Sequence, residues 1–202
     1  MAITYPLTLP TATGFRATEL QPVTVVGLNA SPFTGEQQLY PWPGQWWRWA
    51  ISLPPMTAAN AATWTAFFLK LNGPQGTFYL GPSIRKTSGG NVGGSWLVDA
   101  SATANSTTLP LKSGTGLAAV GDWLQVNTGE NAKLHRVVQV NESMGSMVSV
   151  DVFPRLRSAY AEDTAVSFTN PVGVFRLAEL PTEAYDSRKI CHGLQFTAFE
   201  SL

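Results

Sequence analysis

Residues 46–53 read Trp-Trp-Arg-Trp-Ala-Ile-Ser-Leu, an alternation with the period of a β-strand. Trp47, Trp49, Ile51 and Leu53 fall on one face, because successive side chains of a strand point to opposite sides. The intervening Trp46, Arg48, Ala50 and Ser52 fall on the other face. The segment predicts a strand that is half-buried in a sheet, with its apolar face in a core.

The same period continues elsewhere in the chain. Val148, Val150 and Val152 alternate with Ser149, Asp151 and Phe153, and turn dipeptides recur at short intervals. Such spacing is typical of many short antiparallel strands. The sequence therefore predicts a mainly β fold. The turn dipeptides are Thr13-Gly14, Asn72-Gly73, Ser113-Gly114, Thr128-Gly129 and Met144-Gly145.

One segment departs from this pattern. Residues 57–71 contain no Gly or Pro and are rich in Ala. Ala61, Trp64, Phe68 and Leu71 recur at helical spacing, with Phe67 beside them. Pro54-Pro55 stops the preceding strand, Thr57 or Asn60 can cap the start, and Asn72-Gly73-Pro74 ends the segment. We expect one amphipathic helix near 57–71, packed on a sheet.

The segment 86–95, Lys-Thr-Ser-Gly-Gly-Asn-Val-Gly-Gly-Ser, has little to bury and predicts a loose linker. The following residues, 96–170, predict a small inserted β-barrel or sandwich of about five or six strands. Its expected strands include Trp96 to Asp99, Trp123 to Val126, Leu134 to Val140, Val148 to Phe153 and Ala165 to Phe168.

The last thirty residues return to strand character. The segments 173–177 (Gly-Val-Phe-Arg-Leu) and 194–199 (Leu-Gln-Phe-Thr-Ala-Phe) are rich in apolar and aromatic residues. Chain ends are commonly fixed by pairing with an existing sheet. We therefore expect them to pair with the first part of the chain. The predicted organisation is a β-sandwich-like domain formed by 1–85 plus 171–202, interrupted by the inserted domain.

Composition restricts the function. Thirteen basic and thirteen acidic residues cancel without forming a charged block, so no sequence-specific nucleic-acid partner is expected. No signal peptide and no membrane-spanning segment are expected either. Charged residues make up 13% of the chain, well below the roughly 25% usual for soluble domains. This low charge suggests that neighbouring proteins cover much of the surface.

The chain contains few histidine and cysteine residues that could act in catalysis or bind a metal. His135 and His192 lie 57 positions apart, and Cys191 is the only cysteine. Metal sites need two or more ligands at short spacing, so none is predicted. Cys191 and His192 would point to opposite faces of an extended segment, and Cys191 is expected to be a small core residue. We predict no enzyme, no catalytic residue and no cofactor.

Carboxylate pairs and the glycine-rich segment offer little more. Glu179, Glu183, Asp186 and Glu200, or Glu162 with Asp163, could form an acid–base pair, but thirteen acids always offer such pairs. We interpret them as solvated or interface carboxylates in loops. The glycines of 86–95 are not followed by Lys-Ser/Thr, so they do not form a phosphate-binding loop.

An aromatic cluster is the most unusual feature. Residues 40–49 contain five aromatic side chains, which could stack on sugars or anchor a subunit interface. Trp47 and Trp49 belong to the predicted core face. Tyr40, Trp42, Trp46 and Arg48 remain as candidates for an interface or a ligand.

Several segments resemble minor tail and distal tail proteins of long-tailed bacteriophages. The resemblance spans most of the chain and consists of structural patterns without a catalytic signature. In the first half it is carried by Ser31-Pro32-Phe33-Thr34-Gly35-Glu36-Gln37-Gln38, Trp46-Trp47-Arg48-Trp49, Leu53-Pro54-Pro55-Met56-Thr57, Leu71-Asn72-Gly73 and Gly76-Thr77-Phe78-Tyr79-Leu80-Gly81. In the second half it is carried by Gly121-Asp122-Trp123-Leu124-Gln125-Val126, Val137-Val138-Gln139-Val140, Phe153-Pro154-Arg155-Leu156-Arg157 and Gly173-Val174-Phe175-Arg176-Leu177.

The resemblance implies a structural protein of the virion, made in the host cytoplasm and located at the tail tip. Such proteins form a ring, usually a homohexamer, that joins the tail tube protein to the baseplate hub or tail fibres. The ring leaves a channel for DNA, and the inserted β-domain faces outward. Low charge and aromatic anchors are what a ring subunit needs on its flanks.

Two alternatives differ in class. A carbohydrate-binding or adhesion module would use Tyr40, Trp42 and Trp46 to stack on sugar faces, and would expose these rings in the monomer. A cell-wall hydrolase would need an acid–base or metal site that two histidines and one cysteine do not assemble.

Overall fold

The computed structural model describes residues 3–84, 86–89, 92–144 and 147–202. Within these residues the chain is mainly β, with one α-helix, α1, at Ala58–Leu71 and a short 3-10 turn at Gly129–Asn131. The predicted fold class is therefore confirmed. The strands are β1 Ala17–Ala30, β2 Gln37–Ser52, β3 Met56–Thr57, β4 Phe78–Leu80, β5 Trp96–Val98, β6 Thr108–Lys112, β7 Trp123–Val126, β8 Lys133–Met144, β9 Met147–Phe153, β10 Ala165–Ser167, β11 Gly173–Leu177, β12 Ala184–Tyr185, β13 Ile190–His192 and β14 Gln195–Glu200.

An antiparallel sheet with the order β1-β2-β14-β11-β4 contains strands from the first and the last part of the chain. β14 lies against β2, with Phe196 opposite Ile51, and β11 pairs with β14 on one side and β4 on the other. The last strands therefore pair with the first part of the chain, as expected from the sequence.

A closed barrel with the order β10-β5-β6-β9-β8-β7 is built from the residues between β4 and β11. Its six strands agree with the predicted number, and all five segments named from the sequence are strands. The strand that was not predicted is β6. Its sequence contains Pro110, and proline is rare inside a strand. Because proline has no N–H group, Pro110 can only accept, and its carbonyl takes a hydrogen bond from Asp99 N at 3.0 Å.

The helix packs on the sheet through the predicted side chains. Ala61, Trp64, Phe68 and Leu71 are buried, and so is Phe67. Thr57 is the N-cap residue by position, although its side chain makes no capping bond. Asn72 ends the helix in the left-handed conformation, and its N–H group donates to Leu69 O at 3.1 Å.

A small three-stranded sheet, β12-β13-β3, lies at the start of the helix. It was not foreseen, because β3 and β12 are only two residues long. Cys191 on β13 is buried in the helix–sheet core, as predicted for the single cysteine.

The barrel and the five-stranded sheet share a packed junction. Trp47 Nε1 donates a hydrogen bond to Leu134 O at 3.0 Å. The centre of the Trp47 ring lies 5.0 Å from the ring centres of both Trp123 and Phe153. Trp123 and Leu134 come from barrel strands but belong to the core of the sheet and helix. The barrel therefore packs directly against β2 near Trp47 and Trp49, the end of the strand that we call the base.

The described part of the glycine-rich segment is hydrogen-bonded to the barrel. Gly89 N donates to Asp122 Oδ1 at 2.8 Å, and Gly93 exchanges two backbone bonds with Thr115. Arg85, Gly90 and Asn91 of the predicted domain limits lie outside the described residues, as does Gly145 of the predicted Met144-Gly145 turn. The domain limits at 85, 95 and 170 stay predictions.

Candidate interaction surface

The β1–β2 hairpin extends beyond the sheet. β14 pairs with β2 only from Ser52 to Arg48, whereas β1 pairs with β2 as far as Ala30 opposite Gln37. Among the described strands, β1 is thus the only partner of β2 beyond Arg48. We call residues 22–46 the arm; at about 3.3 Å per residue, each of its strands is roughly 25 to 30 Å long.

A bulge marks the middle of the arm. The register passes from Thr24 opposite Gln45 to Val26 opposite Pro41, so Trp42-Pro43-Gly44 face the single residue Val25. Pro43 cannot donate to the ladder, and Gly44 leaves room for its neighbours. A Cβ atom on Gly44 would lie 3.2 Å from Val25 Cγ2. The sequence Pro-Gly therefore places the bulge.

The tip of the arm is closed by local hydrogen bonds. Ser31 N donates to Glu36 O at 2.8 Å, and Gly35 N donates to Ser31 O at 3.0 Å. Ser31 Oγ accepts bonds from Phe33 N at 3.4 Å and Thr34 N at 3.3 Å. Gly35 has φ +71°, a conformation that favours glycine. These bonds hold Phe33 at the tip, where its side chain is 95% exposed.

The arm exposes apolar side chains on both faces. Leu28 lies opposite Leu39 and Val26 opposite Pro41, so these four share one face; Gly27 and Tyr40 share the other. Leu28 and Leu39 are 60% and 62% exposed. An isolated two-stranded hairpin is only marginally stable in water. Exposed apolar surfaces are typical of interaction sites, so the arm is the candidate interaction surface.

The four candidate residues from the sequence divide between the arm and the sheet. Tyr40 and Trp42 lie in the arm and are 49% and 64% exposed. Trp46 is half-buried where the arm begins. Arg48 lies on the outer face of the sheet, with its guanidinium 5.5 Å from the ring centre of Phe199. Of the four candidates, only Tyr40 and Trp42 are therefore strongly exposed aromatic side chains of the arm, in addition to Phe33 at its tip.

Sequence reasoning missed the apolar residues nearest the tip. Leu28 and Leu39 stand three residues before Ser31 and three after Glu36, a symmetric spacing that is typical of a hairpin. That spacing, with Phe33 in the loop between them, was the available signal. The prediction stopped at residue 40 because the aromatic cluster begins there.

A groove lies between the root of the arm and the barrel, with a volume of about 540 Å³. Leu20, Pro22 and Thr24 of β1 form one wall, and Val120 and Val138 of the barrel lie on the other. Arg136 is the charged residue of its lining. Its Nε donates to Gly121 O at 3.2 Å, and its guanidinium lies 5.4 Å from the ring centre of Trp123.

The two histidines have different surroundings. His135 is fully buried, and its Nδ1 donates a hydrogen bond to Pro154 O at 2.8 Å. Burial lowers the pKa of His135 to about 4, so the ring is neutral near pH 7. His192 lies on the surface, with Nε2 3.1 Å from Asp186 Oδ2. Within the described residues, no group of three or more His, Cys, Asp or Glu side chains is placed to hold a metal ion.

Glu200 differs from the interpretation given to the acids as loop carboxylates. It lies on β14 and is buried, where its Oε2 is 2.8 Å from Arg157 Nη2 and accepts a hydrogen bond from Trp47 N at 3.2 Å. Burial raises the pKa of Glu200, although Arg157 opposes that shift. The prediction was wrong for this residue because its cation comes from the barrel, far away in sequence.

No family model matches the chain, and no curated protein matches it. No helix among the described residues is long and apolar enough to cross a membrane.

Proposed function

We propose that this chain is a structural subunit of a ring at the tail tip of a long-tailed bacteriophage. The ring would join the tail tube to the baseplate hub or fibres and leave a channel for DNA. The observation that supports the proposal is the arm, because its apolar side chains have no cover within the described chain.

The composition of the arm favours a protein partner over a charged one. Glu36 is the only charged residue among residues 22–46. Such a surface offers little to nucleic acid or to anionic lipid, which are recognised through basic clusters. It offers much to another apolar protein surface, since interface cores are depleted in charge and enriched in Trp, Tyr and Phe.

Ring formation requires a particular kind of contact. A surface that binds its own counterpart gives a closed dimer. A contact between two different patches passes from subunit to subunit, and it forms a ring when the rotation between neighbours closes. The arm extends beyond the sheet on one side only, and the groove between the arm and the barrel offers a different patch that could receive it. This asymmetry supports a cyclic assembly, and the number of six subunits rests on the resemblance alone.

The proposal is tested by the mass of the purified protein. We expect light scattering across a concentration series to show assemblies of several subunits, and negative-stain images to show rings with a central hole. A strict monomer throughout the series, with no ring in the images, would contradict self-assembly of this chain.

A carbohydrate-binding module is the second candidate, supported by the exposure of Trp42 and Tyr40. Aromatic faces open to solvent are what sugar rings stack on. Titration with a panel of bacterial surface glycans, followed by tryptophan fluorescence, would test it with Trp42→Ala as the binding variant. A fluorescence change that persists in Trp42→Ala would exclude Trp42 as the residue that stacks on the sugar.

A further inference from the structure

The arm and the groove carry one charged side chain each, and the two charges are opposite. Glu36 is exposed at the tip, and Arg136 lines the groove. Among the described residues, neither forms an ion pair. Arg136 is fixed by its bond to Gly121 O and by the Trp123 ring, so its position is set before any partner arrives.

The remaining surfaces of the arm and the groove are also complementary. The tip presents Phe33, with Leu28 and Leu39 behind it, and the groove presents Leu20, Val120 and Val138. A volume of about 540 Å³ is sufficient for an aromatic side chain and its neighbours. Phe33 is therefore suited to be the anchor, since large aromatic residues in pockets dominate interface energies.

The arm of a given chain is directed away from the groove of that chain. Pro22 and Thr24 line the groove and are also the first residues of the arm, whose tip lies roughly 25 Å further along the strands. The register of β1 with β2 keeps the hairpin extended up to Ala30 opposite Gln37. A tip that occupies the groove must therefore belong to a second copy.

We propose that the arm tip of one subunit docks in the groove of the next, with Phe33 inserted between β1 and the barrel and Glu36 paired with Arg136. The inference rests on the proposed ring and identifies its contact. The two patches are different, so each subunit gives an arm to one neighbour and receives an arm from the other.

Charge reversal tests the ion pair. We expect Glu36→Lys and Arg136→Glu each to weaken association roughly three- to ten-fold, and a mixture of the two variants to recover it for the matched contact. Glu130→Lys and Arg188→Glu change exposed charges outside the arm and the groove in the same way, and they should leave association unchanged. If association recovers in the mixture, Arg136→Glu is folded, and its weaker association alone is due to the lost ion pair.

Cross-linking tests the contact without relying on the charges. Thr34→Cys, next to Phe33 at the tip, and Val138→Cys would be placed in separate chains, so that Phe33 itself is kept. Cys191 is buried and can remain in place. With copper phenanthroline as the oxidant, we expect covalent dimers mainly when the two chains are mixed. The same chain with both substitutions should give a ladder of multimers. Thr34→Cys mixed with Ile84→Cys, an exposed site outside the groove, is the matched control.

The outcomes separate this inference from the proposed function. Rings without a cross-link between residues 34 and 138, and without an effect of Glu36→Lys, would overturn the docking and leave the ring. Cross-linked chains without closed rings would support the docking and overturn the ring. A Thr34→Cys chain that cross-links mainly to itself would show symmetric pairing of arms, which contradicts the proposed contact. A monomer with no cross-link would contradict both.

Discussion

The two ends of the β1–β2 hairpin have opposite environments, although the same two strands form both. At the base, Trp47, Trp49 and Ile51 are at most 3% exposed, whereas in the arm Leu28 and Leu39 are about 60% exposed. Both groups are apolar, and both lie in regular antiparallel register. The difference is that the base has a covering layer and the arm has none within the described chain.

The cover at the base comes from three other elements of the fold. β14 extends the sheet next to β2, the helix packs on its inner face, and Trp123 and Phe153 of the barrel close over Trp47. Pairing with β14 stops at Arg48, and the cover from the barrel ends one residue further on, at Trp47. An alternating pattern therefore specifies which side chains share a face, and the next layer decides whether that face is buried.

The largest expected effect contrasts a tryptophan of the base with one of the arm. Trp47→Ala should lower the free energy of unfolding by about 3 to 5 kcal/mol, because it leaves a cavity and removes the bond to Leu134 O. Trp42→Ala should change it by no more than about 0.5 kcal/mol, because the ring is exposed. Urea denaturation under conditions where the protein is monomeric measures both.

Equal losses in the two variants would break the comparison. They would mean that the arm is part of the cooperative unit of the monomer, with its side chains buried in solution. The contrast also needs Trp42→Ala to keep the far-UV circular dichroism spectrum of the unchanged protein.

The second effect depends on pH and concerns the base alone. The pKa of His135 is lowered to about 4 from its ordinary value of 6.5, first by burial and then by Arg157 and Lys133. Below pH 6.5 the unfolded chain binds a proton that the folded chain does not bind. Stability is therefore complete above pH 6.5 and falls by roughly 3 kcal/mol as the pH drops towards 4.

His135→Asn is the matched variant, because its amide can still donate to Pro154 O but does not titrate. We expect the unfolding free energies of the protein and the variant to diverge as the pH falls from 7 to 4.5. Glu200 contributes in the opposite direction, since its raised pKa favours the folded state at low pH, and this contribution cancels in the difference. Parallel pH profiles would contradict the assignment to His135.

Much of the fold was predictable because local patterns agree with it. The alternation from Trp47 to Leu53, the helix from Ala58 and the strands after Trp96 each have a period or a cap that does not depend on the rest of the chain. The pairing of the last strands with the first was also predictable, because chain ends usually join an existing sheet.

The parts that were missed depend on contacts between distant residues. β6 contains Pro110, which argues against a strand until both of its neighbours are known. Glu200 is buried because Arg157 reaches it from the barrel. The arm and groove depend on where β14 ends and where the barrel sits. None of these contacts between distant residues can be inferred from a short window of sequence.

The third effect uses two glycines to compare packing. A Cβ atom on Gly173 would lie 2.8 Å from Leu134 Cβ, within the junction of the sheet and barrel, whereas one on Gly27 in the arm would lie 3.5 Å from Tyr40 Cβ. We expect Gly173→Ala to cost about 1 to 3 kcal/mol and Gly27→Ala to change stability by about 0.5 kcal/mol or less. Thermal unfolding of both variants would show the difference in stability. A large loss of stability in Gly27→Ala would mean that the arm packs against other residues of the monomer.

The smallest effect on monomer stability should accompany a clear effect on assembly. In the double variant Leu28→Ser with Leu39→Ser, unfolding of the monomer should change by no more than about 0.5 kcal/mol, since both side chains are already in water. Association should weaken more than ten-fold if a neighbour buries them, because each buried leucine contributes about 1.5 to 3 kcal/mol.

The control for this variant is Leu69→Ser with Leu180→Ser, which removes two exposed leucines outside the arm. Sedimentation velocity across a concentration series compares the two pairs at equal loss of hydrophobicity. Equal weakening would mean that exposed apolar area drives a non-specific association. A loss confined to the arm variant would mean that the uncovered end of the hairpin receives its missing layer from another subunit, just as the base receives it from the helix and barrel.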